Sequence, residues 1–422
     1  MKVIVIKIAR SLFGLGVFTA VLMPPIALPQ PANPELKADQ LTPNQLIELV
    51  WQIVDQAYLD PRFNGQNWQS LRQQYLNRSY PSSETAYQAV RDLLARLGDP
   101  YTHFVSPAEY RSLQRDPAKT GIGIQFVETK NRQITVVAPI QGSPAAIAGV
   151  LPQDILKSID GQPVQGLGVY RVANLLQGKP GTLAKLVVQR GNRDMVLEVI
   201  HQNTAIAPIR YQVQTVAGAK VGFIQVNQLS SKAISETQTA IQALEKQGVK
   251  GYILNLRSNP GANLEVAIAM AQLWLRQGKI VSIIRRRGDI QTENATQSAL
   301  TDKPLVILVD RGTANAAEIL AAALQDRGRA KLVGTSTFGN SYIQSLRPLP
   351  DGSAISVTVA KWLMPSGKDV HRTGLQPDLQ VELTSEQQRT LLQDSGKTGT
   401  AIDPQYLKAI SLLTKQMTIR VK

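Results

Sequence analysis

The sequence predicts a multi-domain α/β chain: an N-terminal helical module, a small strand-rich domain and a larger α/β core. Three observations predict it. Apolar residues recur at helical spacing between 42 and 97. Short β-branched runs broken by glycine turns occupy about 118 to 203. Strands then alternate with longer helical runs from about 206 to 385. A chain of 422 residues is long enough for two or three domains, and 43% hydrophobic with 18% charged residues excludes a disordered or collagen-like polymer.

The first residues combine a basic leader (Lys2, Lys7, Arg10) with a 13-residue uncharged run, Ser11 to Met23, that ends at Pro24 and Pro25. The run is shorter than the roughly 20 residues of a spanning helix. Leader, run and the Pro-rich sequence that follows read as a secretory signal peptide over 1–32, with Ala27 or Ala32 at the cleavage site; an uncleaved anchor is the alternative. An exported protein is expected. Removing 1–32 takes away three cations and no carboxylate, so the formal charge falls from +15 to +12.

In the helical module (33–105), Thr42-Pro43-Asn44-Gln45 forms a capping box with Pro at the first helical position. Leu46, Leu49, Val50, Ile53, Val54 and Ala57 follow on one face. A second helix runs through Tyr87, Val90, Leu93, Leu94 and Leu97 and stops at Gly98 and Pro100. In the second domain (106–205), GIGIQFVE and ITVVAPI alternate, and Ser143-Pro144-Ala145 opens a short helix. Asp160-Gly161 turns between two strands, GVYRVANLLQG reads as a helix, and KLVVQ pairs with MVLEVI across Gly191-Asn192. In the core (206–385), VGFIQVNQL, YILNLRS, KIVSIIRR, KPLVILVD and AKLVGTS are strands. Helices are expected between them at about 232–247, 263–276 and 315–328. The extension 386–422 is basic and partly helical, with Pro404 at a helix start.

Composition closes several routes to function. With no cysteine, disulfides, thiolate catalysis and cysteine-ligated zinc are excluded; with only His103, His201 and His371, no histidine-rich metal site is expected, and no cofactor is called for. The positive charge admits nucleic acid, anionic lipid or acidic proteins as partners. No helix-turn-helix, RNA-binding or zinc pattern accompanies it, and the leader points away from nucleic acid. Arg285-Arg286-Arg287 is the densest cluster and reads as a solvated strand end. Adhesion to an anionic membrane surface remains a candidate.

The run GSPAAIAGVLPQDILKSIDGQPV resembles the corresponding stretch of bacterial PDZ domains, although Gln153 stands where a glycine usually precedes the aspartate. The resemblance implies that the loop Gly121-Ile122-Gly123-Ile124 presents backbone N–H groups to a peptide's C-terminal carboxylate, the peptide then adding a strand to the sheet. A plain tight turn is the competing reading of these glycines.

Six segments, in order, resemble the carboxyl-terminal processing (tail-specific) serine proteases: LGDPYTHF (97–104), the PDZ run, LNLRSNPGAN (254–263), TDKPLVILVDRGTANAAEI (301–319), ALQDRGRAKLVGTSTFGNSYIQSL (323–346) and MPSGKDVHRTGLQPD (364–378). The resemblance implies a ClpP/crotonase-like protease core with a Ser nucleophile and a Lys general base, the lysine made neutral by desolvation. The family's serine falls at Asn315 and its lysine at Asn340. Gln344 matches the glutamine that accompanies the pair. Asn offers neither a hydroxyl to deprotonate nor a basic amine, whereas Asn315-x-x-Glu318 still suits a helix N-terminus. The oxyanion turn falls at Gly261 and Ala262, where the family has two glycines, so a Cβ at 262 is expected to crowd a substrate carbonyl. Gln177-Gly178 replaces the arginine-glycine that links PDZ occupancy to the active site.

Two functions are therefore carried forward. The first is an exported, non-hydrolysing relative that binds protein C-terminal tails through its PDZ domain, with an active paralogue as a further candidate partner. The second is a working serine endopeptidase with relocated residues, for which Thr313, Ser336, Ser341 and Lys331 are the nearest groups in sequence. The stretch NRSYPSSETAYQAVRDLLARLGDPYTHF resembles cyanobacterial or plastid members, which implies the periplasm or thylakoid lumen.

Overall fold

The computed structural model describes residues 41–114, 121–129, 131–202, 207–216, 218–261 and 263–419. The expected signal peptide lies outside the described residues.

A six-stranded sheet organises the core, in the order Leu379–Gln380, Lys331–Gly334, Leu305–Val309, Gly251–Asn255, Ala219–Val226, Ile209–Val216. All neighbours are parallel except the last hairpin. Its central strands are buried on both faces, as a continuous run such as LVILV requires. Leu305, Ile307 and Val309 face one way, against the helices Ser231–Lys246, Leu264–Gln272 and Ala316–Asp326. Val306 and Leu308 face the other way, with Val221, Phe223, Ile253 and Val333. That second face is covered by Tyr406, Ala409, Ile410 and Leu413 of the helix Pro404–Ile419. The segment 386–422 is therefore no appendage. Its helix starts at Pro404 as expected, but it seals one side of the core sheet, which the apolar spacing of a short basic segment did not reveal.

A second sheet is built on the strand Ala354–Leu363, which pairs with His103–Val105, Gly278–Arg285 and Tyr342–Pro348; Ile290–Ala295 extends it. The run KIVSIIRR belongs here and not in the parallel sheet: it pairs antiparallel with its hairpin neighbour Ile290–Ala295 and with the distant strand Ala354–Leu363. The N-terminal helices Pro43–Ala57 and Ser83–Ala95 lie on this sheet, with Val50, Val54, Val90 and Leu94 against Ile355 and Val357. The first helix carries the expected capping box of Thr42 with Gln45, and the second has one as well, Ser82 with Thr85. A further helix, Trp68–Leu76, has little apolar periodicity and was not legible; Trp68 stacks on Phe63 and packs on Trp51. Arg286 is not simply solvated: its guanidinium lies 4.9 Å from the Phe63 ring centroid and donates to the Tyr58 carbonyl.

The third sheet, in the order Ile124–Glu128, Ile134–Pro139, Ile155–Ile159, Leu183–Arg190, Arg193–Ile200, carries the helices Pro144–Ala148 and Val169–Leu175. The Asp160-Gly161 turn has positive φ at both residues (48° and 80°), as a two-residue hairpin demands. Gln153 also adopts φ 73°, a left-handed conformation that a glycine takes without strain.

The core and its C-terminal helix are pinned by a buried ion pair. Arg257 donates to both carboxylate oxygens of Asp403 (3.0 and 2.6 Å), to Gln405 Oε1 (2.8 Å) and, through Nε, to Asn255 Oδ1 (2.9 Å). Asp403 in turn accepts from the N–H groups of Gly399 and Tyr406. Arg257→Met leaves Asp403 buried without its cation, and a loss of about 3–5 kcal/mol is expected in urea unfolding; a loss under 1 kcal/mol contradicts this account.

Candidate functional site

The helix Ala316–Asp326 begins directly after the loop that follows the strand Leu305–Val309, at the C-terminal edge of the parallel sheet. Asn315 is the last residue before the helix, and its backbone is held at φ 49°, ψ −117°. A non-glycine residue there costs on the order of 1–3 kcal/mol. Such a turn lifts the side chain out of the loop into open space, the arrangement that suits a nucleophile on a strand-to-helix elbow.

The structure brings the two dyad-equivalent positions into contact. Asn340 Nδ2 donates to Asn315 Oδ1 at 3.0 Å, and Asn315 Nδ2 donates to the Pro260 carbonyl at 3.2 Å. Asn340 Oδ1 accepts from the Tyr342 N–H at 3.2 Å. Asn340 is fully buried, its carbonyl accepting from Trp362 Nε1. Two amides thus occupy the space where a hydroxyl and an amine would meet, each bonded to the other or to backbone.

Beneath them sits Glu318, fully buried. Its carboxylate accepts from the N–H groups of Asn315 (3.0 Å), Gly339 (2.7 Å) and Asn340 (3.2 Å) and from the Thr337 hydroxyl. Sequence reasoning saw Glu318 only as the partner of a helix N-terminus. Its second task, binding the loop 337–340 to residue 315, spans 22 residues and has no local signal. Burial pushes this carboxyl up to about 7, against the opposing pull of the four donors.

The turn 257–261 completes the floor. Ser258 takes φ 53° where the family has glycine; its N–H and hydroxyl donate to Asp310, which also accepts from the Gly312 N–H. Gly261, at φ 82°, has room for no side chain: a Cβ would lie 2.5 Å from the Ala314 carbonyl oxygen and 2.6 Å from the Ala316 nitrogen. Ala262, the other oxyanion-equivalent position, lies outside the described residues. Gln344 is almost wholly buried, and its Nε2 finds no partner among the described residues.

The relocated groups do not converge. The Thr313 hydroxyl donates to the Leu256 carbonyl, Ser336 to Gln376, and Ser341, fully buried, to Asp369 at 2.8 Å. Lys331 pairs with Asp378 at 2.7 Å.

The PDZ-like sheet packs directly over this centre. Val127 and Val137 meet Ala314 and Phe338. It also meets the core strand Ala219–Val226 and the C-terminal segment, where Gln141 bonds Gln225, Thr398 and the Leu391 carbonyl. His103 lies against Tyr170 of the helix Val169–Leu175, ring centroids 5.2 Å apart, and neither ring nitrogen has a hydrogen-bond partner among the described residues. In the loop before the strand Ile124–Glu128, Gly123 (φ 72°) admits no side chain, because a Cβ would fall 2.3 Å from Ser143 Cβ. The Ile122 and Gly123 carbonyls accept from Ala145 and Ile140. Among the described residues, the N–H groups of Gly121, Ile122 and Gly123 have no backbone acceptor. Ile124–Glu128 is an edge strand, and the helix Val169–Leu175 packs beside it. At Gly178, the glycine that follows Gln177, the His201 ring fills the place of a side chain.

A helical module, a PDZ sheet and a parallel-sheet core with a strand-to-helix elbow define a PDZ-bearing peptidase fold. Residues 135–190 match the PDZ domain and 220–381 match peptidase family S41. The chain is 40% identical to a carboxyl-terminal-processing protease of Picosynechococcus sp. over 89% of its own length and 90% of that protein's. It is 34% identical to the chloroplastic carboxyl-terminal-processing peptidase 2 of Arabidopsis thaliana, over 80% of its own length and 69% of that protein's. Among solved structures, a photosystem II D1 C-terminal processing protease superposes with a TM-score of 0.75 at 32% identity, covering 84% of this chain and 98% of that one. The chain belongs to the carboxyl-terminal processing protease family of S41 peptidases.

Because the folded-state value of Glu318 lies above its unfolded value of 4.5, the native state holds the proton more tightly. Its contribution to stability is complete below about pH 4.5, declines as the pH rises to about 7, and is level beyond. Native protein should therefore lose up to about 3 kcal/mol relative to Glu318→Gln across that window, measured by urea unfolding at stepped pH; a difference independent of pH contradicts the assignment.

Proposed function

We propose that this chain is an exported, non-hydrolysing member of its family that captures the C-terminal tails of exported or membrane proteins through its PDZ domain. The observation that carries the reading is the Asn315–Asn340 pair. At the two positions where family chemistry needs a hydroxyl and a neutral amine, two amides are hydrogen-bonded to each other. An amide provides neither the nucleophile nor the base. Thr313, Ser336, Ser341 and Lys331 each have another partner, which argues against a relocated dyad.

The binding half of the reading rests on the free edge of Ile124–Glu128 and on the N–H groups at 121–123, which suit an added strand ending in a carboxylate. A leader that directs export would place the chain in the periplasm or a thylakoid lumen. There its charge of +12 favours acidic partners or an anionic membrane surface, and an active paralogue could share its tails.

Purified protein should show no cleavage of a tail peptide and no labelling by a fluorophosphonate. Asn315→Ser combined with Asn340→Lys and Ala262→Gly should restore turnover, since the two positions are in contact, burial lowers the lysine's proton affinity and the oxyanion turn is freed of its Cβ. Each single substitution should stay inactive. Native turnover abolished by Thr313→Ala or Ser341→Ala overturns the reading. For the binding half, a fluorescent tail peptide should bind and its amidated form should not; equal binding overturns that half.

A further inference from the structure

A cleft of about 1090 Å³ lies between the N-terminal module, the PDZ sheet and the loops 338–342 and 371–372. Its walls include Arg62, Arg96 and Arg372 and the carboxylates Asp60, Asp99 and Glu128. Asp60 and Asp99 are held by hydrogen bonds, whereas Glu128 Oε1 has no hydrogen-bond partner among the described residues and makes only an ion-pair contact. Asp60 accepts from the N–H groups of Arg62 and Asn64, Asp99 accepts from the Tyr101 N–H and the Thr102 hydroxyl, and Glu128 lies 3.7 Å from Arg132. Arg62 lies 3.8 Å from Asp60, whereas among the described residues neither Arg96 nor Arg372 makes an ion pair. Arg372 is held at the cleft by its N–H bond to the Gly339 carbonyl, next to Asn340. A second sign of an absent guest is Thr358, which lines the cleft at 2% exposure with a hydroxyl that has no partner among the described residues.

We propose that this cleft binds an acidic segment of the captured tail, with Arg96 and Arg372 selecting it by charge. The inference rests on the tail-binding reading above and adds a second point of recognition. The geometry connects the two. A carboxylate at Gly121–Gly123 sets the tail antiparallel to Ile124–Glu128, so its upstream residues leave the sheet at Glu128 and Thr129, which line the cleft. Five residues of strand span about 17 Å, so the residues in the cleft lie about six to ten positions before the terminus. An extended chain is the occupant that this continuity favours. Guanidinium groups without a carboxylate of their own favour acidic side chains on it.

The test is fluorescence anisotropy on the full chain with peptides of about twelve residues, carrying either two glutamates or two lysines about seven and nine places before a free terminus. The glutamate peptide should bind at least about tenfold more tightly at low salt, with the difference shrinking as salt rises. Arg96→Gln with Arg372→Gln should remove the preference by weakening the glutamate peptide and relieving the lysine peptide, and Arg96→Lys with Arg372→Lys should retain most of it. Equal binding of the two peptides by the native chain overturns the proposal, as does a preference that survives the glutamine pair. Amidated versions keep the two readings apart. If amidation weakens both peptides but charge makes no difference, tail capture stands and the acidic subsite falls; if amidation changes nothing, the capture reading falls.

Discussion

The centre of this protein depends on one buried carboxylate. Glu318 accepts four hydrogen bonds, three of them from backbone at positions 315, 339 and 340. It thereby fixes a strained elbow and a distant loop against each other. Without it, three buried N–H groups lose their acceptor, a cost of about 1–3 kcal/mol each. Asn315 and Asn340 meet because Glu318 places their backbones, and the amide contact then satisfies the two side chains. The same arrangement would position a serine and a lysine. The two positions that the family resemblance assigns to the serine and the lysine are thus held in contact across 25 residues of chain.

Around that centre the domains are joined by packing and by polar contacts of long sequence separation. The PDZ sheet presses Val127 and Val137 onto Ala314 and Phe338, Arg257 ties the oxyanion turn to the C-terminal segment, and Arg286 ties a core hairpin to the N-terminal module. Each contact brings together elements that the sequence alone assigns to separate units. The cleft is a consequence of this assembly. No single segment contains it, and its arginines come from positions 62, 96 and 372.

Local signals were read where local physics decides. The capping box at Thr42, the Ser143 helix start, the Asp160-Gly161 turn and the helix start at Pro404 all follow from short-range hydrogen bonding or φ preference. The helix Trp68–Leu76 escaped because its polar residues give no clear face; aromatic stacking holds it instead. KIVSIIRR was read as a strand, but its sheet could not be assigned, since a β-branched run does not name its partner.

What the sequence by itself determined is the chemistry available: no cysteine, asparagine at 315 and 340, and a family pattern that fixes which positions matter. Residue identity is covalent and needs no fold to be read. Tertiary structure decided that the two asparagines touch, that Glu318 binds both their backbones, that Ser341 and Lys331 are committed elsewhere, and that three arginines from distant positions line one cleft. Those are distances between residues far apart along the chain, set by how helices and sheets bury their apolar faces.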